Sequence, residues 1–425
     1  MPKILILLLI PYLVSSSPAN AQSISDSIHI SLDSAEKIFL RQNFSLLAQK
    51  YNVDAQKALI LQVRLWPNPN LFVGHGPLWP VSNPESSFFN NSSTAASLSQ
   101  LILLAGKRNK QIKLAEANVK LSEYQFYDLL RTLKYTLRTD FFKIYFLQRS
   151  SKVYDEEIRA LQQVANAFAE QQGKGYIAEK EVVRIRAQLY ILQSEYNDLT
   201  NQIIDVQSEL KLILQVKPPS YIDPLADPAS IDNLDPAMYS LTTLIDSAYQ
   251  NRTDLQIART NTNIDKLNYN YQKALSVPDL TLSLSYDQQG SYVNNFSSMG
   301  ASIDLPFFNR NQGNIKSAKA LIDLGNASEK SIQATVEENV YHSLQKAFNN
   351  DKMFRGIDSK FVNDFDRLQH EVLINYQKRN ISILDFLDFY DSYKQNALQL
   401  NAIQFSRINA FEELNYYTGT NFYNN

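Results

Sequence analysis

The chain of 425 residues contains no cysteine, which excludes disulfide staples, thiolate catalysis and Cys-ligated metal sites. Histidine is almost as scarce, and His29, His75, His342 and His370 stand too far apart in sequence for a local metal cluster. Eleven glycines are few for a doubly wound α/β enzyme, whose phosphate loops and tight turns consume glycine. Charge of one sign is missing too: 41 Lys+Arg stand against 43 Asp+Glu, which removes any general case for nucleic-acid binding. No stretch approaches the run of about eighteen apolar residues that a membrane-spanning helix needs. There is no Ser-His-Asp order, no phosphate loop and no HExxH-like spacing. The pairs Glu156-Glu157 and Glu337-Glu338 read as solvated carboxylates on helix surfaces. Neither a cofactor, a metal site nor an enzymatic activity is expected.

What the chain does have begins with an export signal. Lys3 supplies a short basic region, Ile4 to Val14 is apolar throughout, and Ala19-Asn20-Ala21 is a small-x-small cleavage site. Residues 1–21 therefore read as a signal peptide, with Gln22 as the mature start. The apolar run is too short to span a bilayer, and no cysteine follows it to carry a lipid. An exported chain without a spanning helix is free in the periplasm, secreted, or an outer-membrane β-barrel.

The sequence is internally duplicated. Leu32, Phe44-Ser45-Leu46 and Pro69-Asn70-Leu71 match Leu241, Thr253-Asp254-Leu255 and Pro278-Asp279-Leu280 at a constant offset of 209. Further on, Lys174, Ile177, Ala178, Glu181 and Glu209-Leu210 meet Lys378, Ile381, Ser382, Asp385 and Glu413-Leu414 at an offset of 204. The expected division is a first repeat over 22–217, a Pro/Asp-rich linker over 218–236 and a second repeat over 237–425, each a unit that packs on copies of itself.

Each half reads helix, strand pair, very long helix, helix. Neither glycine nor proline occurs between Gly106 and Gly173, and a helix of that length reaches roughly 100 Å. Apolar residues recur along it at three- and four-residue steps, through Val119, Phe126, Leu129, Leu133 and Leu137 and again through Ile144, Leu147, Tyr154, Ile158 and Leu161. In the following helix Val182, Ile185, Leu189, Leu192, Tyr196, Leu199, Ile203, Val206, Leu210 and Ile213 form a heptad seam. Phe386, Phe389, Tyr393, Leu400, Ile403, Ala410 and Leu414 repeat it. The helices over 35–66 and 178–217 together equal the long one, so two short helices end to end fit antiparallel along it.

The strand segments separate a channel from a rod. Leu280 to Asp287 alternates apolar and polar residues strictly, and Met299, Ala301, Ile303 and Leu305 do so against Gly300, Ser302 and Asp304. The first half offers a weaker pair near 70–76 and 94–104. Such segments of about ten residues are the signature of a lipid-facing barrel wall. The connecting stretches 75–93 and 288–295 have the composition of surface loops. Four strands cannot close a barrel, for which about eight is the minimum, so the wall must be shared between chains.

This duplicated layout with an export signal resembles the TolC family of outer-membrane efflux proteins across the whole mature chain. Trp66-Pro67-Asn68-Pro69-Asn70-Leu71 and Gly106-Lys107-Arg108 resemble its cobalt–zinc–cadmium, heavy-metal resistance type. The resemblance implies a mainly α fold with a small β part: duplicated long-helix hairpins forming a periplasmic α-barrel tunnel. Four strands per protomer would contribute to a twelve-stranded, trimeric barrel in outer-membrane lipid. It implies a homotrimer in the Gram-negative outer membrane, with a large periplasmic part, serving a periplasmic adaptor and an inner-membrane pump. The cargo would be metal cations or drugs. Type I protein secretion, or a soluble periplasmic coiled-coil adaptor, is the alternative function.

Two sites follow. The turns Gly173 to Ile177 and Lys378 to Ser382 lie farthest from the membrane, where glycine and asparagine suit reversals with positive φ. The resemblance makes Gly175, Tyr176, Ile177, Arg379, Asn380 and Ile381 adaptor-docking tips, with Arg379 departing from the family's small-Gly-Leu pattern. Asp385 and Asp388 share one helix face, and threefold repetition would stack them as two carboxylate rings at an aperture. They match the family's paired aperture aspartates. Glu181 and Arg184 hold the corresponding positions of the first repeat, and Arg184 is a candidate partner for an aspartate of a neighbouring helix.

Overall fold

The computed structural model describes residues 27–77, 92–227, 233–290 and 292–423. The expected signal peptide and most of the first strand-to-strand loop lie outside them. In the first repeat the elements are β1 (Ser27–Ser31), α1 (Leu32–Gln42), α2 (Phe44–Arg64), β2 (Asn70–Pro77), β3 (Ser92–Ile102), α3 (Lys107–Gly173) and α4 (Glu179–Leu214). A strand β4 (Tyr221–Leu225) follows, and the second repeat comprises α5 (Leu241–Asn251), α6 (Thr253–Leu275), β5 (Leu280–Gln289), β6 (Asn294–Ile303), α7 (Gln312–Arg355), α8 (Ser359–Gln377) and α9 (Ile383–Thr418).

Helix α3, 67 residues long, is the spine, as its lack of interior glycine and proline predicts. It leaves the sheet through Ala105 and Gly106, both with positive φ. The α2 and α4 helices both pack along it, which is the end-to-end arrangement their lengths suggested. The heptad seam of α4 is buried from Val182 to Ile213, with Tyr196 half-buried.

Three features depart from the sequence reading. The single helix expected over 35–66 is two helices parted at Asn43. That residue adopts extended backbone, accepts a hydrogen bond from Leu46 N at 3.0 Å and donates to Ile213 O at 2.9 Å. Arg252 parts α5 from α6 at the position 209 residues on. The long helix of the second repeat is also broken, between Arg355 and Ser359, where Asp358 caps α8. Lastly, the linker carries β4, which pairs in parallel with β1. Gln207 of α4 holds β4 by bonding both the N–H and the carbonyl of Ile222.

The hydrophobic core is divided along the rod. One cluster gathers Phe39, Phe141, Leu210 and Ile222, a second Leu244, Val340 and Phe411, and a third, toward the turns, Leu161, Ile185 and Phe386. Buried ion pairs lie between them, and the pair Arg138–Glu412 joins the repeats. Arg138 of α3 reaches Glu36 of α1 and Glu412 of α9, each at 2.6 Å, and Arg407 of α9 bonds Asp351 at 2.8 Å.

Candidate conduction and gating surfaces

The four remaining strands form one antiparallel sheet in the order β2-β3-β5-β6. Its register sorts the side chains. Leu71, Leu98, Leu284 and Met299 are cross-strand partners in one row, and Ile102, Leu280 and Ile303 in another on the same face. The opposite face carries the rows Phe72-Ser97-Ser285-Ser298 and Asn70-Ser99-Ser283-Gly300. One face is therefore aliphatic, the other mainly hydroxyl. The aliphatic face is uncovered within the protomer, with Leu71 67 % and Met299 85 % exposed, which water tolerates poorly and lipid favours. Strands β2 and β6 are open edges; edges of that kind must be paired or covered. At the sheet's base Lys107, almost wholly buried, binds Asp279 at 2.7 Å, and the same carboxylate accepts from Leu104 N at 2.9 Å. Arg108 lies over the Trp66 ring at 4.1 Å. The Trp-Pro and Gly-Lys-Arg motifs thus meet at the junction of sheet and helices.

At the opposite end both turns are Schellman motifs. In the first, Tyr176 N donates to Gln171 O at 3.0 Å and Gly175 N to Gln172 O at 2.9 Å; in the second, Asn380 N donates to Asn375 O and Arg379 N to Tyr376 O, both at 2.9 Å. The left-handed position is Gly175 in one, with φ +79°, and Arg379 in the other, with φ +63°. The positive φ expected from Asn380 thus falls on Arg379, its neighbour. The strain is compensated by a bond from Arg379 Nη2 to Gln171 Oε1 at 2.7 Å, which ties the two tips together. Tyr176 is 71 % exposed, and a side chain added at Gly175 would enter open space. Ile177 and Ile381 are half-buried, and Ile381 packs on the cluster around Phe386, so it carries packing as well as surface.

The acidic residues begin α9. Asp385 completes a capping box with Ser382: Asp385 N donates to Ser382 Oγ at 3.2 Å, and Ser382 N and Oγ donate to Asp385 Oδ2 at 3.3 and 2.7 Å. Asp388 is exposed on the same helix, and Arg184 is exposed on α4. Arg184 makes no ion pair within the protomer among the described residues. Glu181 is half-buried beside Tyr376. Burial, and secondarily that carboxylate, push the Tyr376 phenol well above its ordinary range. Above the turns a stack of rings crosses between helices. Phe168 of α3 stacks on Tyr376 of α8 at 5.4 Å, Tyr376 on Phe386 at 4.2 Å, and Phe386 meets Tyr390 at 4.5 Å.

One sequence expectation is overturned here. Glu156 is exposed as expected, but Glu157 is only 2 % exposed. The three-and-four stepping of Tyr154, Ile158 and Leu161 puts position 157 on the inward side of α3. A carboxylate on an inward helix position was the available signal. Lys394 of α9, equally buried, binds Glu195 of α4 at 2.8 Å and Asp391 at 3.0 Å beside it.

Among the described residues no helix is long and apolar enough to cross a membrane; the amphipathic surface is the sheet. The outer membrane efflux protein family model matches residues 37–214. The cobalt-zinc-cadmium resistance protein CzcC of Cupriavidus metallidurans is 22 % identical over 291 residues, 68 % of this chain and 66 % of that protein. The chain thus spans just under two-thirds of that relative's length. Among solved structures, a CusC channel superposes with a TM-score of 0.72 at 16 % identity, covering 92 % of each chain. The Campylobacter jejuni CmeC outer membrane channel gives 0.72 at 15 %, covering 92 % of this chain and 86 % of that one. The open-state Neisseria gonorrhoeae MtrE channel gives 0.70 at 16 %, covering 92 % and 89 %. With its two-faced sheet on a long-helix body, the chain has the fold of these outer-membrane channels, and its residues 37–214 match the outer membrane efflux protein family model.

Proposed function

We propose that the chain is the exit duct of a three-component efflux pump. Three copies pair β6 of one protomer with β2 of the next, closing a twelve-stranded barrel whose aliphatic face meets lipid and whose hydroxyl face lines the lumen. The observation that carries this is the sheet itself, two-faced and open at both edges. A hydroxyl-lined lumen offers water and ions a neutral, wetted wall, so selection of cargo falls to the helical end and to the pump. Similarity to CzcC favours metal cations as cargo, with drugs as the other class that this family exports.

The helical end supplies the two remaining parts. Asp385 and Asp388 form stacked carboxylate rings at the aperture, with Arg184 of a neighbouring protomer as partner, and the tips dock a periplasmic adaptor. The capping box supports this reading because it fixes the backbone from which Asp388 projects. Reconstituted protein in a planar bilayer is expected to conduct, and replacing Asp385 and Asp388 together by Asn is expected to raise conductance and weaken divalent block. Absence of any conductance would overturn the channel reading; wild-type behaviour in the double variant would move the gate elsewhere. For docking, Gly175→Trp and Tyr176→Glu are expected to abolish resistance to cobalt, zinc or cadmium while leaving trimers intact, and unchanged resistance would reject it.

A further inference from the structure

The buried group around Glu157 is not explained by the barrel, the tips or the aperture. It lies where α3 and α4 of the first repeat pack against α9 of the second. Lys394 Nζ binds Glu195 of α4 at 2.8 Å and Asp391 of α9 at 3.0 Å, so the ammonium already serves two carboxylates. Glu157 of α3 is the third. Its residue is 2 % exposed and its Oε1 has no hydrogen-bond partner among the described residues. It faces, with Gln188, Leu192, Tyr390, Asp391 and Lys394, a cavity of about 10 Å³, at most the room of a single water. The charged and titratable groups facing it are Tyr154 on its own helix, Glu195 on α4, and Tyr390, Asp391 and Lys394 on α9. Glu195 and Asp391 reach solvent while Glu157 does not, so an ionised Glu157 would be a buried charge beside an ammonium already bonded to two other carboxylates, which is costly.

We propose that the Glu157–Lys394–Glu195–Asp391 cluster is a proton-operated lock that holds α9 against the α3–α4 hairpin when Glu157 carries a proton and releases it when that proton leaves. Burial first, and then the nearby Asp391 and Glu195, push the Glu157 carboxyl up to about 8, with Lys394 working the other way. Burial opposes the Lys394 ammonium, but its bonds to Glu195 and Asp391 hold its pKa above the ordinary value, so it stays charged throughout. Separation of the helices hydrates Glu157 and returns it to its ordinary value near 4.5. The locked state is thus fully favoured below about 4.5 and loses that advantage as pH rises through about 8. Each pH unit between these limits shifts the locked-to-released ratio by up to roughly tenfold per protomer.

The absence of cysteine makes the test direct. Spin labels on Tyr190→Cys of α4 and Gln395→Cys of α9, in the full-length trimer in lipid nanodiscs, report separation of the helices independently of the aperture. The inter-label distance distribution is expected to broaden to longer distances as pH rises from 5 to about 8. Glu157→Gln, which cannot ionise, is expected to stay locked throughout, and Lys394→Met is expected to move the midpoint upward because it removes the one attraction favouring the ionised carboxyl. A pH-independent distance in the unsubstituted background, an unchanged transition in Glu157→Gln, or an unmoved midpoint in Lys394→Met would each overturn the lock. Because the labels read packing and not current, the lock can stand if the aspartate aperture fails, and the reverse.

Discussion

At the scale of single residues, buried carboxylates divide this rod into satisfied and unsatisfied positions. Glu36 and Glu412 share the guanidinium of Arg138, and Asp351 has Arg407 and Arg355. Asp140, on α3 facing α4, is different: its Oδ2 has no hydrogen-bond partner among the described residues. Burial first, then the neighbouring Glu209, push its carboxyl up to about 7, against the pull of Lys143. A carboxyl raised in the folded state favours folding fully below its ordinary value near 3.8 and loses that contribution as pH rises through about 7. Asp140→Asn is therefore expected to melt higher than the parent at pH 8 and by a clearly smaller margin at pH 5, with the gap growing by at most about 1.4 kcal/mol per pH unit in between. Thermal unfolding of the detergent-solubilised protein at both pH values measures it; equal melting at pH 8 would show that Asp140 is ionised at no cost.

At the scale of elements, the two repeats solve the same turn with different residues. Helix α9 begins with the Ser382–Asp385 capping box, whereas α4 begins at Ala178, which has no side-chain acceptor. Ser382→Ala is expected to cost about 1 kcal/mol, and Ala178→Ser to contribute a similar amount of stability, since each swaps a cap for its absence. Amide exchange over the first turns of α4 and α9 is expected to slow in the second variant and quicken in the first. Arg379→Gly removes the left-handed cost of a side chain, about 1 kcal/mol, and also the bond to Gln171, worth about the same. Global stability should barely change while exchange in both tips quickens together; quickening in the second tip alone would show that Arg379 does not couple them.

For the whole molecule, the sheet's two faces make opposite predictions for one kind of substitution. An arginine at Leu284, on the aliphatic face, is expected to cost about 2–4 kcal/mol if its row lies at the bilayer midplane, read as loss of folded trimers from the membrane. An arginine at Ser283, one residue away on the hydroxyl face, should leave trimers intact and lower cation conductance. Equal loss of protein at both sites would mean that neither face is lumenal. Together the pair tests the orientation of the sheet without reference to the helical end.

Much of this was legible in the residues themselves. The absence of glycine and proline from 107 to 172 made one long helix the natural reading, and the heptad seam from Val182 to Ile213 chose the buried face of the helix that follows it, because both depend on local conformational freedom and on a period of 3.6. The alternation from Leu280 to Asp287 likewise separated two faces, since side chains in any strand alternate. Tertiary structure decided what depends on partners distant in sequence. Asn43 breaks a helix because Ile213, 170 residues away, accepts its side chain. The linker becomes a strand because Gln207 and β1 satisfy its backbone. Arg379 adopts a left-handed turn with Gln171 of the other repeat to hold it. Glu157 differs from Glu156 only in which side of α3 meets α4 and α9, and burial of a carboxylate is a property of that meeting, not of the residue.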